Sequence, residues 1–100
     1  MKILLACSLG MSTSLLVSHM KKEAKAQGKD DYEIWATDVN SIDDEEGFEV
    51  IMLGPQVSSR YQEVNEEFDV PVRIIEKQDY GRCDGAAVLA AAEKAVQEGK

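Results

Sequence analysis

Two short, uninterrupted apolar runs constrain the fold of this chain more than any other feature of its sequence. Residues 3–6 read ILLA and residues 50–53 read VIML. A strand with one face in water alternates apolar and polar residues, whereas a continuously apolar strand is covered on both faces, as in parallel sheets flanked by helices. Residues 32–37 and 72–75 mix the two types, and Pro71 is tolerated only at the end of the latter strand. We therefore predict two central strands and two edge strands.

Helical periods separate these runs. Apolar residues share a helix face in three sets: Leu15, Leu16, Met20 and Ala24; Val57, Tyr61, Val64 and Phe68; and Gly85, Val88, Leu89, Ala92, Ala95, Val96 and Gly99. Gly28 is placed to end the first helix, and Pro55 suits the first position of the second helix. This alternation predicts an α/β fold in a single domain of residues 1–100, with a four-stranded parallel sheet of order 2-1-3-4 and helices on both faces, hence three layers.

Charge and hydropathy exclude several classes of protein. The formal net charge of -8 opposes binding to nucleic acid, whose phosphates attract lysine and arginine. No apolar stretch approaches the roughly 20 residues that span a bilayer, and no signal peptide is present, so we expect a cytoplasmic protein without direct membrane insertion. Cys7 and Cys83 are then reduced thiols, outside any zinc-binding or Cys-x-x-Cys spacing. No metal and no cofactor are predicted, and a monomer is expected.

The loop after the first strand is the predicted functional site. Ligands of doubly wound sheets bind beyond the carboxyl ends of the strands, where the winding direction reverses. Residues 7–14, CSLGMSTS, lie at that edge and lead directly into a helix, whose unpaired N–H groups and partial positive charge attract an anion. The predicted phosphate-binding residues are Ser8, Leu9, Gly10, Met11, Ser12, Thr13 and Ser14.

The cysteine that opens this loop is predicted to be a nucleophile. The amides around it and the helix N-terminus stabilise the thiolate, and the same amides would stabilise the oxygens of a transferring phosphoryl group. The residues also leave a structural alternative open. Cys7 is then a small buried residue that closes the first strand, and the serines serve as helix caps.

Residues 7–16, CSLGMSTSLL, resemble the phosphorylation-site signature of the IIB components of the lactose, cellobiose and chitobiose family of the phosphoenolpyruvate-dependent sugar phosphotransferase system. The segments LGPQV at 53–57, DYG at 79–81 and DG at 84–85 also resemble that family in order and spacing. The resemblance covers essentially the whole chain. It implies a four-stranded parallel sheet with helices on both sides, an architecture that resembles low-molecular-weight tyrosine phosphatases.

The resemblance also implies a function for the loop. Cys7 would be a phosphocysteine that accepts phosphate from a phosphohistidine on the IIA component. It would donate the phosphate to a sugar, such as a disaccharide of the cellobiose or chitobiose type, held by the membrane permease IIC. The protein would then work at the inner face of the membrane through IIC, and Leu9 and Met11 are candidate contacts for its partners.

Two further functions stay open at the level of sequence. Low-molecular-weight tyrosine phosphatases place an arginine where this chain has Thr13, and Asp79 follows the fourth strand near the position of their general acid. A non-catalytic phosphate- or flavin-binding module is the other possibility if Cys7 is inert. Gln56, Asp79 and Tyr80 are the candidates to line the site from neighbouring loops, although a turn or helix-cap role is expected for Asp79.

Overall fold

The computed structural model describes residues 1–8 and 11–100, apart from the side chains of Met11 and Ser12. The described strands are β1 (Lys2–Cys7), β2 (Glu33–Asp38), β3 (Val50–Leu53) and β4 (Val72–Ile74). The α-helices are α1 (Met11–Ala26), α2 (Tyr61–Glu67), α3 (Lys77–Gly81) and α4 (Gly85–Glu98), and short 3-10 turns lie at Val39–Ser41, Asp44–Glu46 and Pro55–Arg60. Within these residues, no helix combines the length and the apolar character needed to cross a bilayer.

The four strands form one parallel sheet in the order β2-β1-β3-β4, which confirms the predicted topology. At the carboxyl end of the sheet, Cys7 pairs with Asp38 and Ala6 pairs with Leu53. Leu53 in turn pairs with Ile74 of β4. The segments that follow all four strands therefore begin at one edge of the sheet, where a ligand site was expected on topological grounds.

The apolar strands divide the core into two layers. Ile3 and Leu5 of β1 pack with α1 and α4, whereas Leu4 and Ala6 pack with α2 on the other face of the sheet. All four side chains are fully buried. Burial of an aliphatic side chain of the size of leucine contributes about 1.5–3 kcal/mol. The sheet is thus covered on both faces, as its continuous apolar runs predict.

Helix α1 buries a stripe that differs from the predicted one at a single residue. Leu16, Met20 and Ala24 are buried, but Leu15 is 52% exposed. The buried stripe follows Leu16, Met20 and Ala24, which are four residues apart. Because successive residues of an α-helix are rotated by about 100°, the residues before and after Leu16 lie on opposite sides of this stripe, and only one of them can be buried with it. That neighbour is Val17, which packs in the core with the other three. The prediction of a buried Leu15 is therefore wrong.

Helices α1 and α4 approach closely where α4 begins. A Cβ atom at Gly85 would lie 2.5 Å from the carbonyl carbon of His19, closer than real Cβ contacts allow. Next to this contact, Nδ1 of the exposed His19 side chain lies 2.7 Å from the carbonyl oxygen of Cys83. Cys83 has a φ angle of 50°, in the left-handed region that non-glycine residues seldom adopt. The turn between α3 and α4 is thus tied to α1.

Two segments are divided differently from the sequence prediction. The single helix expected after Pro55 consists of a 3-10 turn, with a kink at Val57, followed by α2. Where a turn is expected around Asp79 and Tyr80, the chain forms the five-residue helix α3. A helix of this length spans little more than one turn, so it is too short to display an apolar period in its sequence.

A partly buried polar cluster links the start of β2 to α4. Lys29 forms an ion pair with Glu93, and the hydroxyl of Tyr32 donates a hydrogen bond of 2.7 Å to the same carboxylate. The hydrogen bond to Glu93, together with burial, raises the pKa of Tyr32 to about 12. Burial alone would raise the pKa of Glu93, but the hydrogen bonds from Lys29 and Tyr32 and the charge of Lys29 outweigh it, so the pKa lies below its usual value.

Candidate functional site

The candidate site lies at the carboxyl edge of the sheet, where Cys7 ends β1 and helix α1 begins four residues later. Cys7 is fully buried, and the hydroxyl of Thr13 donates a hydrogen bond of 2.9 Å to its sulfur. The first turn of α1 has backbone N–H groups without partners inside the helix. The sequence therefore brings a thiol, a hydroxyl donor and a helix N-terminus to one end of the molecule.

Thr13 is the only polar side chain that is buried in the described part of the chain, with 1% of its surface exposed. A buried hydroxyl is costly unless it is hydrogen-bonded, because it gives up its bonds to water. The partners of this hydroxyl are the sulfur of Cys7 and the hydroxyl oxygen of Tyr80, at 3.2 Å. A cysteine that only packed in the core would need no such donor, so the contact favours a chemical role for the sulfur.

Gln56 and Tyr80 join the site from the segments after β3 and β4. The Nε2 atom of Gln56 donates a hydrogen bond of 2.9 Å to the Tyr80 hydroxyl oxygen. Gly54 makes room for this arrangement, since a Cβ atom there would lie 2.6 Å from Oε1 of Gln56 and 3.3 Å from Cβ of Cys7. Two of the three side chains predicted to line the site are therefore connected to Cys7 through Thr13.

The third of these side chains faces elsewhere. Asp79 lines a groove of about 240 Å³ between β4 and α4, together with Arg73 and Lys94. In the described part of the chain, its carboxylate makes no hydrogen bond to Cys7 or Thr13. Its backbone oxygen accepts a hydrogen bond from the N–H of Asp84 at the turn before α4. This geometry matches a structural role in the turn better than a role as general acid at Cys7.

The predicted phosphate-binding residues are only partly visible. Ser8 and Ser14 are exposed, and Thr13 makes the contacts given above. Leu9 and Gly10 lie outside the described residues, as do the side chains of Met11 and Ser12, whose backbone forms the start of α1. The loop assignment for these four residues stays a prediction.

An open cleft of about 480 Å³ adjoins the hydrogen-bonded side chains. It is lined by Pro55, Gln56, Lys77, Tyr80 and Gly81. Sequence reasoning did not single out Lys77, which contributes a positive charge to the cleft. The available signal was its place three residues after the carboxyl end of β4, the edge at which such sheets bind ligands.

Thr13 occupies the position at which low-molecular-weight tyrosine phosphatases have an arginine. In the described part of the chain, no arginine hydrogen-bonds to Cys7 or Thr13. Arg60 forms an ion pair with Glu63, Arg73 donates a hydrogen bond to Glu98, and Arg82 lies at the end of α3.

Comparison with known proteins identifies relatives along most of the chain. The family described as "PTS system, Lactose/Cellobiose specific IIB subunit" matches residues 2–91. The chain is 47% identical to a galactose-specific EIIB component of Lactococcus lactis subsp. cremoris and 47% identical to a cellobiose-specific EIIB component of Lactococcus lactis subsp. lactis; each alignment covers 91% of this chain and 92% of the relative. It is 41% identical to an oligo-beta-mannoside-specific EIIB component of Bacillus subtilis, over 84% of each chain.

Solved structures of IIB components share the fold. The solution structure of a cellobiose-specific IIB component from Borrelia burgdorferi superposes with a TM-score of 0.82 at 34% identity, over 98% of this chain and 93% of that one. A lactose-specific IIB domain from Streptococcus pneumoniae superposes with a TM-score of 0.80 at 18% identity, over 95% and 96% of the two chains, which supports the fold alone. The chain therefore belongs to the lactose/cellobiose-specific IIB family of the sugar phosphotransferase system, whose members are phosphotransferase domains that work with IIA and IIC components.

Proposed function

We propose that this IIB component carries phosphate on Cys7, which accepts it from a phosphohistidine of a IIA component and donates it to a sugar held by a IIC permease. The observation that carries the proposal is the hydroxyl of Thr13, the only buried polar side chain in the described residues, which donates to the Cys7 sulfur at 2.9 Å. A hydrogen-bond donor at this distance stabilises a sulfur that bears negative charge.

Each half of the proposed relay is a displacement at phosphorus. In the first, the Cys7 thiolate supplies the electron pair of a new S–P bond, and the imidazole of IIA leaves with the electron pair of the broken N–P bond. In the second, a sugar hydroxyl oxygen forms the O–P bond, its proton is released to solvent, and Cys7 leaves as thiolate. The sulfur carries negative charge at the start of the first step and at the end of the second. The donor from Thr13 therefore serves both.

The phosphate on Cys7 is proposed to rest on the loop of residues 8–14. Support comes from helix α1, which begins at Met11 and so offers the N–H groups of its first turn near the end of β1. We further propose that residues 1–100 act as one carrier domain, as a monomer, at the inner face of the membrane through IIC. The proposed sugar is a β-linked disaccharide of the cellobiose or chitobiose type, which agrees with the names of two relatives.

The carrier step can be tested by intact mass. The protein is mixed with phosphoenolpyruvate, the general phosphotransferase components and a matching IIA component, without sugar. We expect one phosphate on the wild type and on the control Cys83→Ser, and none on Cys7→Ser. Retention of phosphate by Cys7→Ser would refute the assignment of Cys7, and steady release of inorganic phosphate that needs Cys7 and Asp79 would identify a phosphatase instead.

The sugar is tested in the same mixture after addition of membrane vesicles that contain the IIC component. Discharge of the phosphorylated protein is followed with cellobiose, chitobiose, lactose and galactose as separate acceptors. We expect discharge by cellobiose or chitobiose. Discharge by galactose alone would refute a disaccharide, and discharge by lactose alone would refute the cellobiose or chitobiose type; either result would leave the role of Cys7 intact.

A further inference from the structure

We propose that Gln56 and Tyr80 are positioning residues that aim the hydroxyl of Thr13 at the sulfur of Cys7. This inference rests on the proposed function, because it assigns the two side chains to the phosphate-accepting state of Cys7. It concerns residues that come from three separate segments, after β1, β3 and β4. The proposal follows from the direction in which each hydrogen bond of the set is donated.

The donor in each hydrogen bond follows from the number of protons that each group can donate. Thr13 has one hydroxyl proton and donates it to the sulfur of Cys7. The 3.2 Å contact between the hydroxyls of Thr13 and Tyr80 must then be donated by Tyr80. Tyr80 in turn accepts from Nε2 of Gln56 at 2.9 Å. The bonds run in one direction, from Gln56 through Tyr80 and Thr13 to a sulfur that acts as acceptor.

A sulfur at the accepting end of such a series is favoured as thiolate, since a thiolate is a far stronger acceptor than a thiol. Hydrogen bonds in series also polarise one another, so each donor strengthens the next. Without Tyr80, the Thr13 hydroxyl would lose its second hydrogen-bond partner and could rotate away from the sulfur more freely. Tyr80 therefore restricts the orientation of this hydroxyl.

The surroundings hold the two positioning side chains in place. Tyr80 is half-buried, and its ring packs against the core cluster beneath α1 and α4. The exposed Gln56 lies against the backbone at Gly54, where a Cβ atom would come within 2.6 Å of its Oε1 atom. Both line the open cleft beside the site. The hydrogen-bond series thus connects a buried sulfur with a surface that solvent and partners reach.

The experiment uses the full chain with Cys83→Ser, so that Cys7 is the only thiol. Thiolate formation is followed by its ultraviolet absorbance as a function of pH, and phosphate transfer from phosphorylated IIA is followed in a single turnover. Tyr80→Phe removes one hydroxyl, and Gln56→Met removes one amide of similar size. Tyr61→Phe and Gln78→Met are the matched controls. Tyr61 packs against the core on the other face of the sheet, and in the described part of the chain neither side chain hydrogen-bonds to Cys7 or Thr13.

We expect Tyr80→Phe to need a higher pH for thiolate formation and to slow transfer at neutral pH about three- to tenfold, because the Thr13 donor to the sulfur loses the bond that orients it. Transfer by Tyr80→Phe should recover as the pH is raised, which damage to packing alone would not produce. Gln56→Met should change both quantities in the same direction by less, and the controls should match the parent.

An unchanged thiolate titration in Tyr80→Phe would overturn the inference, even if its transfer were slow. A pH-independent loss of transfer in that variant would also overturn it. If the parent protein took no phosphate at all, the proposed function would fail. The thiolate titration would still decide separately whether Gln56 and Tyr80 act on Cys7.

Discussion

Replacement of Thr13 by valine tests the chemistry of the site most directly. Valine has nearly the shape of threonine but no hydroxyl, so Thr13→Val removes the 2.9 Å donor to the Cys7 sulfur and fills the same space. The position is almost completely buried, which leaves no room for water to replace the donor. The change therefore isolates one hydrogen bond at the atom proposed to react.

The expected magnitude follows from the charge of the acceptor. A hydrogen bond to a charged group contributes about 1.5–3 kcal/mol, and each factor of ten in rate corresponds to about 1.4 kcal/mol. Thr13→Val should therefore slow single-turnover phosphate transfer from IIA to Cys7 by roughly tenfold to a hundredfold at neutral pH. The free energy of unfolding should fall by no more than about 2 kcal/mol, because the Tyr80 hydroxyl keeps its bond from Gln56.

The assay is rapid-quench mixing of phosphorylated IIA with each variant, with denaturant unfolding measured in parallel. Thr13→Ser is the matched control, since it retains a hydroxyl at the same position and should recover most of the rate. Transfer by folded Thr13→Val at the wild-type rate would refute the reasoning. So would a Thr13→Ser variant as slow as Thr13→Val, because the hydroxyl would then not be the group that matters.

Two further predictions concern stability. Gly85→Ala should lower the free energy of unfolding by about 1–3 kcal/mol in denaturant titration, because its Cβ would lie 2.5 Å from the backbone of α1. The control Gly81→Ala has no heavy atom within 4 Å of its Cβ and should change the free energy of unfolding by less than about 0.5 kcal/mol. Equal effects of the two substitutions would contradict this contact. The ionised Glu93 should contribute fully to the free energy of unfolding above its ordinary pKa of 4.5, and this contribution should be lost as the pH falls through its lower pKa in the folded protein. Tyr32 should contribute fully below pH 10.0, and its contribution should be lost as the pH rises towards about 12. Glu93→Gln should remove the loss of stability on the acid side, and an identical dependence of unfolding on pH in Glu93→Gln and the wild type would contradict this.

The strands and their order in the sheet were predictable because each strand shows its burial in its own sequence. Runs of four apolar residues at 3–6 and 50–53 can be satisfied only when both faces are covered, and the order 2-1-3-4 follows from right-handed crossovers. The predictions fail where the outcome depends on the rotation of one residue about a helix axis, or on a helix of a single turn. Leu15 falls just outside the buried stripe of α1, and α3 is too short to show periodicity.

The candidate site was predictable only in part, for a related reason. The position of Cys7 follows from the strand that ends there, but its link with Tyr80 passes through Thr13, across 67 residues of sequence. Asp79 and Tyr80 are neighbours in α3, yet the rotation of about 100° per residue sends the first to the groove beside Arg73 and the second to Thr13. No pattern in the sequence distinguishes which of the two side chains reaches Thr13.

Threonine at position 13, where low-molecular-weight tyrosine phosphatases have arginine, would account physically for the proposed carrier role on an architecture that also serves hydrolysis. A guanidinium beside the phosphate would stabilise charge on the phosphoryl oxygens whether the acceptor were a sugar or water. The Thr13 hydroxyl instead donates to the sulfur. In the proposed relay the sulfur would bear negative charge before phosphate arrives and after it departs, so this donor would assist attack by Cys7 and departure of Cys7 without favouring water as the acceptor. We therefore expect the lifetime of the S–P bond to depend on the partner that supplies the accepting hydroxyl.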